Sequence, residues 1–299
     1  SGAGITVAVL DSGIDLNHPE FAGRIASGGR SFIAGVSSLQ DPLSDGHGTQ
    51  VSGLIAASRD GTGMHGVAYG AQVLPLKVCE NFSCGSSAIV QAIDYAISRQ
   101  ADIINFSLGF SSGAGASVYS AVRRATAAGI VMVSAAGNNS AISSPLEPAA
   151  FAGDPAFGGL VIAAGAVDDT LDSVSNGASG AETNFVVTPA TNLATTDVGG
   201  GYLDVSGTSF ATPTVAGAVA LLLERFPTLS AADAVRLLLE NTRDLGAPGA
   251  DSVYGRGMID ILAAMEPARG LRMAGTPQRA EVETASLSVS SAFGQGLGT

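Results

Sequence analysis

Three short strings carry side chains that together could do nucleophilic chemistry: Val7-Ala8-Val9-Leu10-Asp11-Ser12-Gly13, His47-Gly48-Thr49 and Gly207-Thr208-Ser209-Phe210-Ala211-Thr212-Pro213. A serine hydroxyl is a weak nucleophile at neutral pH. Its proton must be removed as it attacks, and imidazole has the pKa nearest that task. A buried carboxylate bonded to the other ring nitrogen fixes the tautomer and stabilises the imidazolium. Ser209, His47 and Asp11 are the candidates for nucleophile, base and orienting acid. Along the chain they run Asp, His, Ser, one of the unrelated orders in which this trio occurs. Each residue alone has a plainer reading: Asp11 as a helix cap or metal ligand, His47 as a loop histidine, Ser209 as the N-cap of the following helix. The three strings together point to hydrolysis by a serine nucleophile.

Such side chains need rigid elements to bring them together. Ile5 to Leu10 is apolar throughout and predicts a buried parallel strand that delivers Asp11 at its carboxyl end, where open α/β sheets keep their sites. Ile130 to Ala136 is a second such run, and it ends in Gly137-Asn138-Asn139, so a carboxamide also lies at a strand's carboxyl end. Strands are predicted over 5–10, 73–78, 102–106, 130–135 and 160–166. Helices are predicted over about 47–57, 86–99, 117–128, 209–225 and 231–241. This alternation predicts an α/β fold with a mostly parallel central sheet and helices on both faces. Pro213 is tolerable if it falls near the first turn of its helix, where few N–H groups have partners to lose.

Composition narrows the class. The chain has 299 residues, 46% of them hydrophobic, enough for one large core. We expect a catalytic domain over 1–265 and a C-terminal extension over 266–299. A net charge of −12 without a Lys/Arg cluster argues against nucleic-acid or anionic-membrane partners. No apolar run is long enough to predict a transmembrane helix. The first strand starts almost at once, which reads as a processed form. Cys79 and Cys84 lie close enough to form a disulfide, which fits secretion. A reduced, packed pair is the other reading.

The strings resemble those of subtilisin-like serine peptidases over about residues 4 to 265. Ala135-Ala136-Gly137-Asn138 matches that family's Ala-Ala-Gly-Asn, which implies that Asn138 donates to the developing oxyanion. The Ser209 N–H at the start of its helix would be the second donor. The resemblance also implies an extended peptide or protein substrate lying as an added strand between Ser83-Cys84-Gly85 and Ser107-Leu108-Gly109. Ala136 and Gly137 belong to the same substrate-binding surface. It further implies a secreted or cell-surface monomer whose own prosegment acts as inhibitor and chaperone. No cofactor is required, but a structural Ca²⁺ between Glu20 and Asp60 is implied, against the plainer reading of a solvated Arg59-Asp60-Gly61 turn.

The chain departs from the family pattern in places. Thr214 stands where relatives have histidine. Leu146-Glu147-Pro148-Ala149 replaces Tyr-Pro-Ala near the first specificity pocket. Glu147 either points inward and favours a basic P1 residue, on the acyl side of the scissile bond, or faces solvent. The tail resembles the junction between a passenger and its barrel in a bacterial autotransporter, or else it is an edge hairpin or linker. Two rival classes fit the strings less well. A non-catalytic adhesin or binding module would typically lack one of the four site residues, and all are present. A phosphate-transfer enzyme would need glycines after the first strand, whereas Gly2 and Gly4 precede it.

Overall fold

The computed structural model describes residues 1–266 apart from Leu43, Ser44, Phe82 and Ser112. Its elements begin with β1 (Thr6–Asp11), β2 (Arg30–Ser31), α1 (His47–Ala56) and β3 (Gln72–Lys77), then a small hairpin of β4 (Cys79–Glu80) and β5 (Ser83–Cys84). Next come α2 (Ser86–Ser98), β6 (Ile103–Phe106), α3 (Gly115–Ala127), β7 (Val131–Ala135), β8 (Val161–Val167) and β9 (Phe185–Pro189). A second hairpin, β10 (Leu193–Asp197) and β11 (Gly201–Val205), leads into α4 (Thr208–Arg225). α5 (Ala231–Glu240), β12 (Thr242–Arg243), β13 (Met258–Ile259) and α6 (Ile261–Met265) complete the series. Every element predicted from the sequence is present, within about two residues of its expected bounds.

Nine strands form one sheet in the order β12-β13-β9-β8-β7-β6-β1-β3-β2, and only β12 with β13 is antiparallel. β7 and β8 are buried along their whole length, which is why they read as unbroken apolar runs. Alternate residues of the strands feed two cores. Val7, Val9, Val73 and Val133 pack with Val51 and Ile55 of α1, Val215 and Val219 of α4, and Leu238 of α5. Ala8, Leu10, Leu74, Leu76 and Ile104 pack with Ile89 and Ile93 of α2 and with Val118 and Val122 of α3. Helices therefore cover both faces of a mostly parallel sheet, as the alternation predicted.

Strand order decides where a site can form. From β1 the chain builds outward to β3 and β2 on one side, then returns to lay β6, β7, β8 and β9 on the other. At such a reversal the loops leaving neighbouring strands diverge and open a crevice at their carboxyl ends. Asp11 ends β1 and Ser107 follows β6, so both lie at that crevice. α4 is apolar around its circumference and buried for most of Thr208 to Leu222. It packs against β6, β7 and β8 and against α1 and α5, which gives its first turn a rigid support.

The β10–β11 hairpin is absent from the sequence prediction for a physical reason. Its buried positions include Thr195 and Thr196, whose hydroxyls donate to the Gln50 and Thr49 carbonyls of α1 at 2.6 and 2.8 Å. A strand whose inward face is polar and satisfied by a distant helix shows no apolar alternation.

The cysteines are oxidised: a Cys79–Cys84 disulfide closes the β4–β5 hairpin. No described helix is long and apolar enough to cross a membrane. Contacts divide the chain into Ser1–Met265 and Glu266–Thr299. The anticipated junction, hairpin or linker beyond Glu266 lies outside the described residues.

Candidate active site

β1 carries Asp11 to the sheet's carboxyl edge, where it is 1% exposed. α1 starts at His47 with its first turn backed against that edge. Gly48 makes this approach possible, because a methyl group there would overlap the Gly13 carbonyl oxygen. Its N–H instead donates to Ser12 Oγ at 3.0 Å. His47 Nδ1 lies 2.8 Å from Asp11 Oδ1, and the Ser12 N–H donates to the same oxygen at 2.7 Å. Facing a carboxylate, Nδ1 must be the protonated nitrogen, which leaves Nε2 as the acceptor of the neutral ring. Burial alone would lower the imidazole pKa. The charge and hydrogen bond of Asp11, with the charges of Asp45 and Asp41, outweigh it and raise the group to about 9.

Ser209 is the second residue of α4. The His47 ring packs on the next residue, Phe210, with centroids 5.5 Å apart. The Ser209 hydroxyl donates to the Ser107 main-chain carbonyl at 3.1 Å. Ser107 returns the contact, its hydroxyl donating to the Ser209 carbonyl at 2.7 Å, while Asn105 Nδ2 donates to Ser107 Oγ at 3.0 Å. In this arrangement the hydroxyl proton of the candidate nucleophile points to Ser107 and not to the candidate base.

Asn138 is exposed just beyond β7. The Thr208 N–H and hydroxyl approach its carboxamide at 2.8 and 3.0 Å. A backbone N–H can only donate, so the facing atom is Oδ1 and the carboxamide offers its Nδ2 protons to a ligand. The Ser209 N–H is among the first of its helix, without an intrahelical acceptor and at the positive end of the dipole. The loop after β7 and the start of α4 thus each offer a donor beside Thr208. Thr208, Asn105 and Phe210 have roles here that the sequence reading did not single out. Thr208 and Phe210 lie inside a quoted string, but no spacing rule says which neighbours a side chain in such a turn will hold.

The segments expected to bind substrate lie as follows. Ser83 and Gly85 are exposed and Cys84 half-buried on the disulfide-closed hairpin. Ser107 is buried, Leu108 half-buried and Gly109 exposed, while Ala136 and Gly137 are buried. Leu146 and Glu147 link the segment after β6 to the end of β7: the Leu146 N–H donates to the Ala136 carbonyl at 2.9 Å, and the Phe110 N–H to the Glu147 carbonyl at 2.8 Å. A methyl group on either Gly109 or Gly137 would come within 2.9 Å of the Leu146 side chain, which therefore packs between the two walls. Glu147 follows neither simple reading. Its half-buried carboxylate accepts the Ala114 N–H at 2.6 Å.

Glu20 and Asp60 are not drawn into one cage. Glu20 is buried, its Oε1 accepting the Tyr202 hydroxyl at 2.6 Å, a bond that pushes the tyrosine pKa up to about 12. Asp60 is exposed and accepts the N–H and hydroxyl of Thr62 in its own turn, bonds that hold its pKa down. Calcium takes about six to eight oxygens. Among the described residues no group of three or more His, Cys, Asp or Glu is placed to hold a metal ion. Thr214, at the position of the family's histidine, donates within α4 to the Phe210 carbonyl at 3.2 Å.

Comparison with known proteins gives a consistent result. The sequence model of the subtilase family matches residues 2–257. Subtilisin DY of Bacillus licheniformis is 39% identical over 267 residues, covering 89% of this chain and 92% of that protein. Among solved structures, fervidolysin from Fervidobacterium pennivorans, a keratinolytic enzyme related to subtilisin, superposes with a TM-score of 0.76 at 28% identity, over 90% of this chain and 44% of that one. The prenylagaramide maturation protease gives a TM-score of 0.73 at 26% identity, over 88% and 93%.

Proposed function

The chain belongs to the subtilase family and is a subtilisin-like serine endopeptidase, and from that premise we propose that Ser209, His47, Asp11 and Asn138 carry its chemistry through an acyl-enzyme. The observation that carries this reading is the 2.8 Å bond between His47 Nδ1 and Asp11 Oδ1, which reserves Nε2 for the nucleophile's proton. Ser209 Oγ attacks the scissile carbonyl as its proton passes to Nε2. The electron pair displaced from the carbonyl settles on its oxygen, where Asn138 Nδ2 and the Ser209 N–H donate to it. Collapse breaks the C–N bond, and the departing amine takes the proton from His47. Water then repeats the sequence on acyl-Ser209, releasing the acid and restoring the hydroxyl. Asp11 stays ionised and stabilises the imidazolium.

Substrate binding and activation are linked through Ser107. A peptide added as a strand along Ser107–Gly109 brings a main-chain N–H to the Ser107 carbonyl. That N–H competes for the acceptor on which the Ser209 hydroxyl rests, and a displaced hydroxyl turns to His47. The substrates are proteins and extended peptides. We place the enzyme outside the cytosol, as a monomer freed from an inhibitory prosegment. The disulfide supports the compartment, since oxidising surroundings preserve it; family resemblance supports the prosegment.

A fluorophosphonate probe tests the assignment. Stoichiometric labelling at Ser209, lost in His47→Ala and Ser209→Ala, is the expected result. A protein that binds peptides but takes up no label would be a binding module on this scaffold, and the catalytic reading would fall. Asn138→Ala should lower kcat by roughly 100- to 1000-fold.

A further inference from the structure

We propose that Asn176 is a positioning residue for the oxyanion donor Asn138, holding the backbone on both sides of it. The inference rests on the role given to Asn138 above. Asn138 begins a run, 138–144, that is exposed at every residue. Loops of that kind have little packing to fix them. A donor to a transition state must nonetheless stay within a fraction of an ångström of its place.

Asn176 supplies the restraint from 38 residues further along the chain. It is 1% exposed. Its N–H donates to the Gly137 carbonyl at 2.9 Å, its Oδ1 accepts the Asn139 N–H at 3.0 Å, and its Nδ2 donates to the Ser144 carbonyl at 3.0 Å. The residue before Asn138 is thus tied to the Asn176 main-chain N–H, and the residue after it and the end of the loop are tied to the buried Asn176 carboxamide. Thr208 fixes the rotation of the Asn138 carboxamide; Asn176 fixes the backbone that carries it. Gly137 takes part in the fit. It has φ 108°, and a methyl group there would lie 2.6 Å from Asn176 Oδ1.

The pattern requires a carboxamide of this length. One atom faces an N–H and the other a carbonyl, so acceptor and donor are both used. Aspartate keeps the bond to Asn139 but sets a carboxylate oxygen against the Ser144 carbonyl. Alanine loses both side-chain bonds.

The test is a double-mutant cycle on a peptide ester and a peptide amide. Rates are expressed per active site after fluorophosphonate titration to completion, so misfolded protein is not counted. Asn176→Ala should lower kcat about 10- to 100-fold with KM within about twofold, because a displaced donor weakens only the transition state. Asn176→Asp, nearly isosteric, should fall between wild type and Asn176→Ala and serves if the alanine variant fails to fold. In the Asn138→Ala background the same changes should cost less than about twofold, since the group being positioned is gone. Equal losses in both backgrounds, a change in KM alone, or an unchanged kcat would overturn the proposal. If Asn138→Ala itself leaves kcat intact, the oxyanion assignment fails, and that outcome is separate from additivity.

Discussion

Ser107 and Ser209 exchange hydrogen bonds, each hydroxyl donating to the other residue's main-chain carbonyl, at 2.7 and 3.1 Å. The exchange follows from Pro213. It is the sixth residue of α4, deeper than the first turn where its tolerance was expected, and the N–H it lacks is the one that would reach the Ser209 carbonyl. Ser107 supplies the missing donor from β6's end, which also ties α4 to the segment after β6.

Replacing Ser107 by alanine should therefore cost about 1–3 kcal/mol, by leaving a part-buried carbonyl without a donor. Ser107→Ala combined with Pro213→Ala restores an N–H to that carbonyl and should recover part of the loss. Urea unfolding midpoints of the two variants decide it. A double variant less stable than the sum of the single changes would refute the account.

With His47 as the proposed base, its raised pKa should set the acid limb of activity. The base must be neutral, so kcat/KM on an uncharged substrate should climb about tenfold per pH unit and level off near 9. Asp45→Asn removes one of the charges that hold the proton, so its limb should move to lower pH, and added salt should shrink the difference. A limb at higher pH in Asp45→Asn would contradict the electrostatics. Stability has the opposite sign: the folded pKa lies above the ordinary value of 6.5, so the ion pair with Asp11 contributes fully below pH 6.5 and is lost as pH rises through about 9.

The Cys79–Cys84 bridge closes the hairpin whose Ser83 and Gly85 are the proposed edge of the cleft. Reduction should raise KM for long peptides by severalfold and leave single-residue esters nearly unaffected, because only the former lie along that edge. Steady-state kinetics on the two substrate classes, before and after reduction, test this. An equal change in both would assign the disulfide to global stability.

Leu146 fills the space between Gly109 and Gly137. Shortening it to alanine should open the floor between the two walls and favour large P1 side chains over small ones by about 10-fold or more in kcat/KM, the order of a pocket gaining several methylene volumes. A cleavage profile over a P1 peptide library reads this directly. An unchanged profile would place the P1 side chain elsewhere.

Much of this protein is legible without coordinates. The parallel strands of the centre are buried on both faces, so apolar runs such as Ile5–Leu10 and Ile130–Ala136 announce themselves. The candidate nucleophile, base and acid lie in short strings because tight turns at strand and helix ends permit few residue types. The amino-acid sequence by itself therefore determined the α/β class, the Asp11, His47 and Ser209 candidates, and Asn138. Tertiary structure decided what holds them. Thr208 turning the Asn138 carboxamide, Ser107 serving a carbonyl that Pro213 cannot, Asn176 bracing a loop 37 residues away and Leu146 filling a gap between glycines all depend on atoms from separate elements meeting at about 3 Å. Hydrogen-bond geometry at that range has no periodicity along the chain, so no pattern of residues records it; only the packed sheet and its helices bring such partners together.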